Sequence, residues 1–96
     1  MRLTPRHALA PVYHNRGGVR VLQNDIRGAI ADYTSAIEID PRLLVAYLSR
    51  GNARYHNRDP MALADYWHAL KVDPGLAAAE IIRMLVNDLT TTSKRC

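Results

Sequence analysis

The stretch "ADYTSAIEIDP" at residues 31–41 returns as "ADYWHALKVDP" at residues 64–74, and "YHNRG" at 13–17 returns as "YLSRG" at 47–51. A phrase written twice at a spacing of 33–34 residues marks a repeated supersecondary unit, because one such unit cannot bury its apolar face alone. Within the units the apolar residues follow helical spacing. Ile26, Ala29, Ile30, Tyr33 and Ile37 recur at steps of three and four, and so do Ala62, Leu63, Tyr66, Ala69 and Leu70. Each of these helices runs into Asp-Pro (Asp40-Pro41 and Asp73-Pro74), where proline denies the helical conformation to the residue before it. Upstream, Val12 to Leu22 and Leu44 to Tyr55 read as partner helices. Their breaks fall at Asn24-Asp25 and at Asn57-Arg58-Asp59-Pro60.

Small residues set the geometry between helices. Gly17 and Gly51 stand mid-helix, where glycine costs about 1 kcal/mol relative to alanine. The cost is acceptable where a side chain would block a neighbouring helix. Ala29 and Ala62 face them, and Tyr33 and Tyr66 fill the remaining space. The pattern predicts an all-α chain of two helical hairpins side by side.

With the residues laid out, the chain resembles the tetratricopeptide repeat (TPR). Tyr13, Gly17, Ala29, Tyr33, Ala36 and Pro41 match its pattern in the first unit, and Tyr47, Gly51, Ala62, Tyr66, Ala69 and Pro74 in the second. The resemblance covers about residues 10–74 and implies an α-solenoid, a right-handed superhelical stack of two hairpins. Arg16 and Arg50 depart from it, standing where the family usually has leucine, as do Arg20 and Arg54, where tyrosine is common. Each Arg pair is spaced i,i+4 along one helix side, with Asp32 or Asp65 on the facing helix. Ion pairs Arg16–Asp32 and Arg50–Asp65 are therefore expected, the alternative being arginine stems that cover apolar surface with their heads in water.

After Pro74, "GLAAAEIIRMLVNDL" places Ala78, Ile81, Ile82, Leu85 and Leu89 on one stripe, opposite Glu80, Arg83 and Asn87. By similarity to the family this is a capping helix over the last repeat. The expected organisation is an extension at 1–9, repeats at 10–42 and 43–75, a cap at 76–90 and a flexible tail at 91–96. Two units fall short of the three that usually stabilise a stack, so either the first ten residues or another chain must cover the first hairpin. Trp67, in the place of Thr34, either packs on the capping helix or stands exposed as an anchor for a partner or a second copy.

Bulk composition narrows the function. The chain has 96 residues, 48% hydrophobic and 23% charged, with a net charge of +4 and a pI near 9.6. That size allows one domain. The basic balance permits an acidic partner, but the arginines are scattered and no nucleic-acid-binding motif occurs, so nucleic acid is not the expected ligand. No apolar run is long enough to span a membrane, and the N-terminus lacks the apolar stretch of a secretory signal. The single cysteine, Cys96, cannot form an internal disulfide; a reducing cytoplasm is the default setting. His7, His14, His56 and His68 have no metal-ligand spacing, and no phosphate loop or nucleophile motif is present. Neither an enzyme nor a bound cofactor or metal is expected.

What remains is a surface. The resemblance implies a concave groove lined by the first helix of each unit, formed by His14, Asn15, Gly18 and Leu22, then Leu48, Ser49, Asn52, Tyr55 and His56. Asparagine can pair with a peptide backbone through both donor and acceptor. The implied function is a protein–protein interaction scaffold or adaptor that takes a peptide or helix of a partner. TPRs that grip acidic chaperone tails use a clamp of Lys, Asn, Asn, Lys and Arg; His14, Gly18 and Ser49 stand at clamp positions, so that subtype is set aside. Two other readings stay open: a structural homo-oligomer, and a basic adaptor for an acidic protein or nucleic acid.

Overall fold

The computed structural model describes residues 6–94, with side chains through Asn87. A 3-10 turn, Arg6–Leu9, leads into five helices: α1 (Ala10–Leu22), α2 (Ile26–Ile39), α3 (Leu44–His56), α4 (Ala62–Val72) and α5 (Pro74–Lys94). The described residues contain no strand. Local chemistry explains the boundaries. Asp25 caps α2 by accepting from the Gly28 amide at 3.0 Å, and Asp73 accepts from the Leu76 amide at 3.1 Å in the first turn of α5. Asp40 and Asp73 are extended, at φ −133° and −149°, as the following prolines require.

The two hairpin turns are built alike. Asn24 (φ 62°) and Arg58 (φ 58°) take the left-handed conformation. The next amide reaches back to the Arg20 or Arg54 carbonyl at 2.8 Å in each case, closing a Schellman-type cap. The second unit is one residue shorter before its second helix, and a tighter first turn absorbs the difference. The Ala29 amide bonds four residues back to the Asp25 carbonyl, whereas the Ala62 amide bonds three residues back to Asp59.

Each helix packs on the next, with α1 on α2, α2 on α3, α3 on α4 and α4 on α5. The 3-10 turn touches both α1 and α2, although its residues stay exposed. Alanine dominates the buried positions: Ala10, Ala36 and Ala46 form one cluster, Ala29 and Ala53 surround Tyr33 in another, and Ala69 and Ala77 flank Tyr47 and Leu48 in a third. Such small side chains let helix axes approach, and the tyrosines supply the bulk. The Tyr47 hydroxyl donates to the Pro41 carbonyl at 2.9 Å, tying α3 to the turn that precedes it. Its ring stacks on His68 at 5.4 Å.

Both expected ion pairs form, and each has a second arginine. Asp32 takes Arg16 through two bonds of 2.9 and 2.8 Å, and Arg20 Nε lies 3.1 Å away. Asp65 takes Arg50 through bonds of 2.7 to 3.1 Å and Arg54 Nη1 at 3.0 Å. The carboxylates are almost fully buried, Asp32 at 3% exposure and Asp65 at 1%. A buried carboxylate is tolerable only when paired and hydrogen-bonded. The Arg16 hydrogen bond holds the Asp32 carboxyl below its ordinary pKa of 3.8, against the opposing pull of burial.

The stripe expected on α5 divides in two. The fully buried alanine is Ala77 rather than the expected Ala78, which is half-buried; Ile81 packs beside Ala77 against the α3–α4 core, while Ile82 and Leu85 are exposed. Asn87, expected on the opposite side with Glu80 and Arg83, instead borders the groove described below. Leu89 lies outside the residues whose side chains are described. The helical backbone continues to Lys94, past the expected end of the cap at residue 90 and into the tail expected to be flexible.

Glycine at 17 and 51 is a packing requirement. A Cβ on Gly17 would lie 2.5 Å from Tyr33 Cε1, and one on Gly51 would lie 2.7 Å from Tyr66 Cε1 and 3.2 Å from Asp65 Cβ. The Tyr66 ring cannot swing aside freely, because its hydroxyl donates to Asn52 Oδ1 at 3.0 Å. Gly51→Ala is thus expected to destabilise the chain by about 2 kcal/mol, lowering Tm by about 10 °C in thermal unfolding. A rise in Tm, the usual result of Gly→Ala in a helix, would show that the ring is not seated there.

Candidate binding groove

A groove of about 1440 Å³ runs across α1, α3 and α5, floored by the first turns of α2 and α4. It follows from the packing just described. Tyrosine rings seated on glycines draw each hairpin together, and their hydroxyl ends emerge beside the residues of α1 and α3 that face the open side. Of the residues expected there, Gly18, Ser49, Asn52, Tyr55 and His56 line it.

The others are placed elsewhere. Leu48 is a correction: at 7% exposure it belongs to the core with Tyr47, Ala69 and Ala77, because α4 and α5 cover that face of α3. His14, its counterpart one unit earlier, sits behind the groove, with Nε2 2.9 Å from Ser49 Oγ and its ring 5.4 Å from that of Tyr33. Asn15 is exposed outside the groove, and Leu22, at 88% exposure, projects from the end of α1.

Three residues from α5 (Met84, Leu85 and Asn87) complete the wall, together with Arg58, Asp59 and Pro60 from the α3–α4 turn. A sequence signal for the α5 group exists. The second unit is one residue shorter, so its spacing is 33, as the repeated Asp-Pro stops show; it carries Gly51 to Met84, and Asn52, which lines the groove, to Leu85. Methionine at 84 stands where the earlier units have glycine.

The groove's polar groups are wired to the core. Asn52 accepts from the Tyr66 hydroxyl through Oδ1, which fixes the side chain and keeps its amide nitrogen as a donor. Burial pushes the Tyr33 hydroxyl up from its ordinary pKa, with the Ser49 hydrogen bond acting in the opposite sense. Burial, reinforced by Tyr55 and Asp65, pushes Tyr66 up to about 12 from an ordinary 10. The groove therefore offers donors, acceptors and aromatic surface, and its hydroxyls stay protonated at neutral pH. Among the described residues, no three His, Cys, Asp or Glu side chains come together to hold a metal ion. No helix among them is long and apolar enough to cross a membrane.

Comparison with protein-family models finds no match, and neither does comparison with curated proteins.

The raised Tyr66 pKa has a definite sign. The unfolded chain releases this proton near pH 10 and the folded chain only near 12, so its contribution is complete below pH 10 and is lost between pH 10 and 12. Urea unfolding in steps across that range should show stability falling more steeply for the wild type than for Tyr66→Phe. Equal slopes would mean that Tyr66 is no more buried than in the unfolded chain.

Proposed function

We propose that the chain is a TPR-type α-solenoid, two repeats in a right-handed stack closed by α5, that serves as a protein–protein interaction scaffold or adaptor. Its concave groove takes an extended peptide or a helix of a partner protein, and no reaction is performed. The observation that carries this reading is the groove itself, with Ser49, Asn52 and His56 beside Tyr55 and Leu63 along one continuous hollow. Asn52 is the residue best suited to a peptide backbone, since Tyr66 fixes its orientation and leaves the amide nitrogen as donor. Extended ligands gain affinity from backbone hydrogen bonds and specificity from side-chain pockets, and both are at hand here. A cytoplasmic setting accords with the single cysteine.

The test is selection of binders from a displayed random-peptide library, followed by fluorescence anisotropy on synthetic peptides. The Asn52→Ala, His56→Ala double variant is expected to weaken binding at least tenfold, about 1.4 kcal/mol. Affinity should change little between low and physiological salt, unlike a nucleic-acid mode, which weakens steeply. Peptides that bind the double variant as tightly as the wild type would place the site elsewhere, and failure to select any peptide would contradict the reading.

A further inference from the structure

A second, apolar hollow adjoins the groove on the side of α4 and α5 and shares Tyr55, Leu63, Tyr66 and Leu85 with it. Trp67 is 61% exposed and Leu63 75%, and they stand beside Leu85 around a pocket of about 280 Å³ floored by Tyr66, Leu70 and Ile81. On α5 the surface continues over Ile82 and Val86, both more than half exposed. These α5 residues fall about a third of a helical turn or more from Ala77 and Ile81, the residues turned toward α4. The helix therefore has an apolar arc far wider than the strip it buries, with Glu80 and Arg83 paired to each other on the remaining side. A helix apolar over so much of its circumference is one that is covered.

We propose that a second copy of this chain covers it, the two chains pairing through α4 and α5 about a two-fold axis. Three observations favour a like partner. First, the patch combines a hollow with exposed apolar side chains: Ile82 and Val86 directly follow Ile81 and Leu85, which line the pocket, so a two-fold arrangement can set the exposed residues of one chain against the hollow of the other. Second, the area fits. With Tyr55 at the edge, the exposed residues leave roughly 600 Å² of apolar surface, at the upper end for the largest patch of a monomer. Two such patches face to face remove about 1,200 Å², the lower bound for a stable specific interface. Third, a chain of net charge +4 repels its copy, so contact is favoured where charge is sparse, and here the neighbouring Glu80–Arg83 pair is neutral. Trp67 would be the central anchor, as tryptophan often is at interfaces.

The chain's single tryptophan reports on the contact directly. Sedimentation velocity on the full chain, from low to high micromolar concentration, should show mass rising from one chain to two. Trp67 emission should shift to shorter wavelength over the same range. Ile82→Lys and Val86→Lys, both at exposed positions, should each raise the dimer Kd at least tenfold while circular dichroism stays helical. If either variant loses helicity, the concentration dependence of Trp67 emission in the unaltered chain decides alone. A strict monomer at high concentration would overturn the proposal, as would a dimer whose Trp67 emission stays unshifted, a dimer indifferent to both lysines, or an assembly larger than two.

Discussion

Two buried carboxylates, each held by two arginines one helical turn apart, set the terms on which this chain folds. Asp32 and Asp65 stand inside the hairpins, and in water their charge would be satisfied for nothing. Folding strips that hydration away, so every contact that closes a hairpin depends on Arg16 with Arg20, or Arg50 with Arg54, arriving on the facing helix in register. A slide by one residue along the helix would leave an aspartate facing the wrong groups. The same register seats Tyr33 on Gly17 and Tyr66 on Gly51. A leucine in place of Arg16 or Arg50, as in the TPR pattern the chain resembles, would tolerate such sliding far better.

The two clamps are not equivalent, and the difference follows the order of the helices. Arg16 is 55% exposed by side chain and Arg50 only 14%. Arg50 is covered because it also donates to Thr34 Oγ1 at 3.2 Å, and that hydroxyl in turn donates to the Ile30 carbonyl. Thr34 is thus a polar link between the first unit and the second, beside the His14–Ser49 contact. One unit later the same position is Trp67, and the α5 residue in the place of Arg50 is Arg83, which pairs with Glu80 on its own helix. At Trp67 the polar side chain gives way to exposed apolar surface.

The hairpins were legible because their determinants are local and repeated. Gly17 with Gly51, Tyr33 with Tyr66, and the Asp-Pro stops each appear twice at one spacing, and each has a single steric or conformational reason. The Arg16–Asp32 and Arg50–Asp65 pairs follow from arginines on one helix side and aspartates at equivalent places on the facing helix, with solvated arginine heads as the alternative that the structure removes. Arg20 and Arg54 escaped notice as partners, since one carboxylate with four lone-pair sites can satisfy two guanidiniums and sequence spacing does not count lone pairs. Leu48 was misplaced for a different reason. The family's groove positions transfer to α3 only if the neighbouring helices cover the same arc, and here α4 and α5 reach over it. The α5 stripe was read as one face because periodicity marks apolar residues without saying which of them another helix touches; Ile81 and Ile82 are adjacent in sequence and differ in burial.

The measurement that bears most directly on the clamps is urea unfolding of Asp65→Ala and Asp32→Ala beside the wild type at neutral pH. Removing Asp65 strands two well-covered guanidiniums and should cost about 3–5 kcal/mol. Removing Asp32 should cost clearly less, since water can reach Arg16 and Arg20, at 55% and 35% side-chain exposure, more easily than Arg50 and Arg54 at 14% and 18%. Losses below about 0.5 kcal/mol for both variants, the range of ordinary surface substitutions, would contradict the account, as would a larger loss at Asp32 than at Asp65.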